Sequence, residues 1–262
     1  MTEQEMRILI PQKLLEIERE HDITILHAVE SGSRAWDFAS PDSDYDVRFV
    51  YVRRPEYYLR LDNTRDVLEF PIDDTWDVSG WDLDKALRLL HASNPTLFEW
   101  AASPIVYHTT GLWHERILPV LDRYFQPRKD VFHYLSMAKT NSRGVLDQEI
   151  MKAKKPLYVL RPLLAARWVM ERNTPPPMRF TELAQAYLPA EMKPIVDELL
   201  RIKREVPELA QIPVIPELNA YLVRETEALS ALALALPKEE SAPWEPLNAL
   251  FLDLINACKT RR

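Results

Sequence analysis

Glycine is nearly absent from this chain, with four in 262 residues against 21 prolines. Each glycine therefore marks a place worth locating, and Gly32 falls where a strand breaks. Cysteine is scarcer still. The single Cys258 excludes an intramolecular disulfide and a cysteine-rich metal site, and it fits a reducing cytoplasm. The histidines form no HxxxH or related spacing, so no zinc site is expected. No apolar run approaches the roughly 20 residues that span a bilayer. The start, MTEQEMRILIPQ, has neither the basic segment nor the long apolar segment of a secretory signal. A cytoplasmic location and no membrane partner are expected. Positive charge is also lacking: the formal net charge of −7 excludes coating nucleic acid by bulk attraction, while leaving room for a local basic pocket.

What is present reads as an α+β protein. Residues 3–20 place Met6, Leu9, Leu14 and Ile17 at helical spacing, with Pro11 as a kink or boundary. The run 22–30, DITILHAVE, is a β-branched strand. Ser31, Gly32 and Ser33 break it, and Ser33 is expected to cap a short helix, RAWDFAS. After a turn at Pro41 and Asp42, residues 44–52 alternate polar and apolar as a strand should. VLEF (67–70) and TWDVSGW (75–81) are expected to pair antiparallel across PIDD. Beyond Gly80 the pattern becomes helical. Asp82 opens a helix over 82–92, and Asn94-Pro95 starts the next. Further helices are predicted over 112–125, 130–150, 156–173, 181–188, 194–204, 216–236 and 247–258. Pro119 and Pro162 should kink two of them. The expected organisation is an α/β domain over 1–107 followed by an all-helical domain over 108–262.

The chemistry lies between Gly32 and Arg48. Asp44 and Asp46 occupy i and i+2 of one strand, so both carboxylates project from one face. Such a pair repels unless a cation joins it, and hard oxygen ligands suit Mg²⁺ or Mn²⁺. Gly32 permits close backbone approach to a ligand, and Ser33, read as a helix start, offers N–H groups to a phosphate. A metal seat facing a phosphate cradle is the equipment for in-line displacement at phosphorus. A third carboxylate on a neighbouring strand would complete it. Asp77, in a strand interior where aspartate is otherwise unfavourable, is preferred over Asp82, which a helix cap explains. Glu69 is an outside candidate.

The segment GSRAWDFASPDSDYDVRFVYV, with GWDLDKALRLL, SNPTLFEWAASPIVY, HYLSMAKTN and KKPLYVLRPLLAARW, resembles a nucleotidyltransferase family of the DNA polymerase β superfamily, the RNA-repair-pathway type associated with RNA ligases. The likeness covers roughly residues 20–185. It implies a polymerase-β-like fold that transfers a nucleotidyl group from a nucleoside triphosphate with a divalent metal, RNA and an RNA ligase being the partners it suggests. Members of that family commonly carry glycine where this chain has Asp37. A left-handed backbone there is tolerated by aspartate better than by most residues.

Other residues have two readings each. Arg48, on the face of the paired carboxylates, either steadies a phosphate or neutralises its acidic neighbours. Lys155, Tyr158 and Arg161 are spaced along one helix start. Arg161 interrupts an apolar run and needs either a phosphate or a structural carboxylate as its partner. Three functions compete: nucleotidyl transfer to an RNA end, the same chemistry on a small-molecule or protein hydroxyl, and a non-catalytic nucleotide-binding partner of an RNA ligase.

Overall fold

The computed structural model describes residues 3–71, 75–143, 149–206 and 210–259. Most of the turn expected at 71–74 and part of the helix expected at 130–150 lie outside them. The chain divides into two compact units. The first comprises Met1–Ser31, Asp44–Tyr124 and Ser241–Arg262; the second comprises Gly32–Ser43 and Phe125–Glu240. A single cut at 107/108 therefore differs from this partition in three ways. The Gly32–Ser43 segment belongs with the later helices, residues 108–124 belong with the sheet, and the C-terminal helix returns to the first unit.

The first unit is built on a five-stranded sheet in the order β3-β4-β2-β1-β5. Helix α1 (Glu3–His21) precedes β1 (Ile23–Ser31) and β2 (Tyr45–Arg53), and the short α2 (Pro55–Tyr58) leads to β3 (Val67–Glu69) and β4 (Trp76–Asp82). Strands β1 and β2 pair antiparallel, β3 and β4 antiparallel as expected, and β2 and β4 parallel. Period-two alternation sends Tyr45, Val47, Phe49 and Tyr51 to one face. There they pack with Met6, Ile10, Leu14 and Ile17 of α1, the helical stripe expected from the sequence. Asp44, Asp46 and Arg48 stand half-buried on the other parity. Gly80, opposite Phe49 in the β2–β4 register, leaves room for that ring: a Cβ at position 80 would lie inside it.

Helices α3 (Leu83–His91) and α4 (Pro95–Ala101) start as the sequence signalled. Asp82 accepts the Asp84 N–H at 3.1 Å, and Asn94 accepts the Thr96 N–H at 2.9 Å ahead of Pro95. Edge strand β5 (Val106–Thr109) follows, pairing antiparallel with β1 where the sequence offered no strand signal. The helix expected at 112–125 is broken. A π segment at Trp113–Ile117 and a 3-10 turn at Leu118–Val120 precede α5 (Leu121–Tyr124), because Pro119 removes a backbone donor.

The second unit packs α6 (Pro127–Ser142), α7 (Lys155–Arg172), α8 (Phe180–Tyr187), α9 (Lys193–Glu205) and α10 (Pro216–Leu234) around a core in which α7 is buried along most of its length. It is not wholly helical. Strands β6 (Ile150–Lys152) and β7 (Gln211–Pro213) form an antiparallel ribbon. In the first unit, α11 (Glu245–Lys259) is the last helix among the described residues. Just before it, Trp244 stacks on His91 at 3.5 Å, and Tyr124 donates to the Pro243 carbonyl. No helix among the described residues is long and apolar enough to cross a membrane.

Candidate functional site

Parallel pairing of β2 with β4 sets Asp46 directly opposite Asp77. Both side chains are about three-quarters buried, and the Arg48 guanidinium joins them. Its Nη2 donates to Asp46 at 3.0 Å and to Asp77 Oδ2 at 2.6 Å, while Nη1 donates to the Asp77 carbonyl at 2.6 Å. Two facing carboxylates bind a cation because their mutual repulsion is otherwise uncompensated. In this structure Arg48 supplies the positive charge, the neutralising one of its two readings. Asp44 lies one residue before β2 and follows the same half-buried alternation as Asp46. Among the described residues, no three His, Cys, Asp or Glu side chains converge into a preformed metal cage. The strand register thus assembles hard oxygen donors of the kind Mg²⁺ takes, with a guanidinium drawn between two of them.

Glu30 carries signal that went unread in the sequence. Fully buried on β1, it accepts the Asp46 N–H through Oε1 at 2.9 Å and the Tyr107 hydroxyl through Oε2 at 2.5 Å. The Ser103 hydroxyl donates to its backbone carbonyl at 2.7 Å. This carboxylate ties β1, β2 and β5 together at Asp46 and fixes the backbone that aims the Asp46 side chain. An acid ending the apolar run ITILHAV was the available signal, because a buried carboxylate requires partners.

Asp82 is elsewhere. It sits opposite Tyr51 at the far end of β4, five residues from Asp77, a separation of roughly 17 Å at 3.3 Å per residue. Besides capping α3 it accepts the Tyr58 hydroxyl at 2.8 Å, and the Arg53 Nε lies 3.6 Å away. Burial pushes its carboxyl up to about 6. Glu69, opposite Ser79 on β3, is exposed.

Gly32 directly follows Ser31, whose register partner is Asp46. Within the second unit, Gly32 is left-handed (φ 74°) and Ser33 is buried. The expected helix RAWDFAS does not form; residues 32–37 are a turn. The Trp36 N–H bonds the Gly32 carbonyl, and the turn then closes by two bonds, Phe38 N–H to Ser33 C=O and Asp37 N–H to Arg34 C=O. That pairing around a left-handed Asp37 (φ 69°) is a Schellman closure, which stops the helix after one turn. Ser33 is therefore no helix cap. The Arg34 guanidinium spans the segment to the Ser43 carbonyl at 2.6 Å, and Lys203 donates to Ser40 at 2.9 Å.

Of the candidates on α7, Tyr158 and Arg161 pack this segment. Arg161 is buried, with its guanidinium 4.5 Å from the Trp36 ring and Nε and Nη2 directed at the Met178 carbonyl. Tyr158 meets Trp36 edge-on at 5.5 Å and lies near Lys154 Nζ. Lys155, half-buried, opens α7.

The model of the RNA repair pathway DNA polymerase beta family matches residues 6–253. The chain belongs to that family. This RNA repair pathway DNA polymerase beta family protein is also 40% identical over 251 residues to a protein described as uncharacterized, YcgL of Bacillus subtilis (strain 168), covering 95% of this chain and 96% of that one. The match includes both the sheet with its Asp46–Asp77 pair and the helical unit, and a mixed α/β core followed by helices agrees with a polymerase-β-like fold.

Proposed function

We propose that this chain is a metal-dependent nucleotidyltransferase that moves a nucleotidyl group from a nucleoside triphosphate to an acceptor hydroxyl, with an RNA end as the acceptor class. The observation that carries this reading is the in-register Asp46–Asp77 pair, held by a cation-bearing side chain, in a member of a polymerase-β-type family. Asp44, Asp46 and Asp77 are the residues that would hold Mg²⁺ or Mn²⁺. Such an ion polarises phosphate oxygens and makes a hydroxyl easier to deprotonate.

The chain's own groups do the rest. The acceptor oxygen forms its bond to the α-phosphorus as the bond to the pyrophosphate oxygen breaks, and the hydroxyl proton passes to the Asp77 carboxylate. Pyrophosphate leaves. Glu30 keeps the Asp46 backbone fixed through the attack. Gly32 and Ser33 would offer backbone N–H groups to triphosphate oxygens. Arg48 orients the two carboxylates.

The test is incubation of the protein with each α-labelled triphosphate, Mg²⁺ or Mn²⁺, and a panel of RNA, protein and small-molecule acceptors. Label on RNA with release of pyrophosphate is the expected result. Label on a protein or small molecule alone would replace the acceptor class, and label on none would overturn the enzyme reading.

A further inference from the structure

Helix α6 turns a continuous face to solvent inside the second unit. Lys129, Phe132, Ser136, Lys139, Thr140 and Arg143 are all exposed. Their spacing of three and four residues places them on one side of the helix. The only carboxylate of α6, Asp130, is fully buried and adds nothing to this face. Phe132, Ser136, Lys139, Thr140 and Arg143 line one wall of a groove, and Ser230 and Leu234 of α10 line the other. Glu227 of α10 is outside the lining. Phe132 is held in place: the Arg128 guanidinium lies 4.9 Å from its ring and is anchored on the carbonyls of Ala233 and Leu236.

Charge gives this face its character. Several exposed bases elsewhere sit against carboxylates, as in Arg7–Glu3, Arg88–Asp84, Lys193–Asp197 and Arg201–Glu198. Among the described residues no carboxylate pairs with Lys129, Lys139 or Arg143. In a chain of net charge −7, this one helix face gathers three exposed cations and no exposed carboxylate. From Lys129 to Arg143 the helix rises about 21 Å at 1.5 Å per residue. That length suits on the order of four nucleotides, the low end of single-strand site sizes.

We propose that this face of α6, with its groove against α10, binds the backbone of a single-stranded nucleic acid. Lys139 and Arg143 meet phosphates in the groove, Lys129 meets one beyond it, and Ser136 and Thr140 supply hydroxyls to phosphate oxygens. Phe132 gives an unstacked base a ring to lie on, which a duplex, with its bases already stacked, does not need. The site deepens the nucleotidyltransferase reading by naming the strand that brings an acceptor end. Its test requires no transfer.

The experiment is fluorescence anisotropy of labelled 12-nucleotide RNA and DNA single strands with the full chain, without triphosphate, across a salt series. Three neutralised phosphates give a slope of log K against log salt of about −2. Lys139→Glu/Arg143→Glu should weaken binding at least tenfold and flatten that slope. Phe132→Ala should weaken binding about tenfold and leave the slope unchanged. All are exposed positions, so melting temperatures should stay at the wild-type value. Asp46→Asn should bind as the wild type does, which separates a failure of this site from a failure of catalysis. The proposal is overturned if neither strand binds at low salt, if the α6 variants bind like the wild type, or if heparin or an acidic peptide of equal charge competes as well as the strand.

Discussion

Asp46 and Asp77 face each other across parallel strands, and one nitrogen, Nη2 of Arg48, donates to both. The relation follows from register alone: Asp46 and Arg48 share a face of β2, and β4 brings the next carboxylate to the same level. Glu30 then holds the Asp46 backbone from the other neighbouring strand. Every part of this arrangement sits on the sheet rather than on loops, so its geometry is set by strand pairing.

Acid should weaken the fold through His27. Its imidazole is buried, stacked on Trp113 at 4.3 Å, with Nδ1 at 3.1 Å from the Thr109 hydroxyl and Nε2 at 3.3 Å from the Trp100 carbonyl. Burial lowers its pKa to about 4. The unfolded chain takes up this proton below about 6.5, and the folded one only near 4, so stability falls as pH drops through that window. The loss reaches about 3 kcal/mol. Thermal melts between pH 7 and 4 should show a decline that His27→Gln flattens; an unchanged slope in that variant would assign the acid sensitivity elsewhere.

Asp82 should act in the opposite direction. Its folded pKa of about 6 lies above the unfolded value near 3.8, so the folded state binds the extra proton. Stability from this group is gained as pH falls from 6 to 3.8 and is lost as pH rises through 6. Asp82→Asn keeps a side chain that caps α3 and removes the buried charge. At pH 8 it should melt no lower than the wild type, whereas Asp82→Ala, losing the cap, should cost about 0.5–2 kcal/mol. A marked loss in the asparagine variant would show that the Arg53 pair outweighs burial.

Gly80 should tolerate no side chain. Adding a Cβ against the Phe49 ring forces either the ring or β4 to move, and overpacking of that kind costs about 1–3 kcal/mol. Gly80→Ala should lower the melting temperature, and pairing it with Phe49→Leu should recover part of the loss. If the double variant is no more stable than the single one, ring crowding is not the cause.

The elements with a strong period were readable from the chain. The stripe of α1, the alternation through β2 and the caps at Asp82 and Asn94 each follow from local chemistry, and Asp77 was singled out because an aspartate suits a strand interior poorly. What escaped depended on distant partners. Strand β5 is four residues whose pairing with β1 is tertiary, and the β6–β7 ribbon joins segments about sixty residues apart. The turn at 32–37 reads locally as a helix start, and only a left-handed Asp37 ends it. Arg161 shows the same limit: a guanidinium in an apolar run demands a partner, and the sequence does not say that Trp36 and the Met178 carbonyl supply it.

The most direct test of the Asp46–Asp77 site is the single-turnover rate of label transfer from an α-labelled triphosphate, measured side by side for the wild type, Asp46→Asn, Asp77→Asn and Asp82→Asn, with a melting curve for each. Transfer should fall by orders of magnitude in the Asp46 and Asp77 variants at an intact fold, and persist near the wild-type rate in the Asp82 variant. Full transfer by Asp77→Asn, or loss confined to Asp82→Asn, would contradict the assignment of the reacting centre to the paired strands.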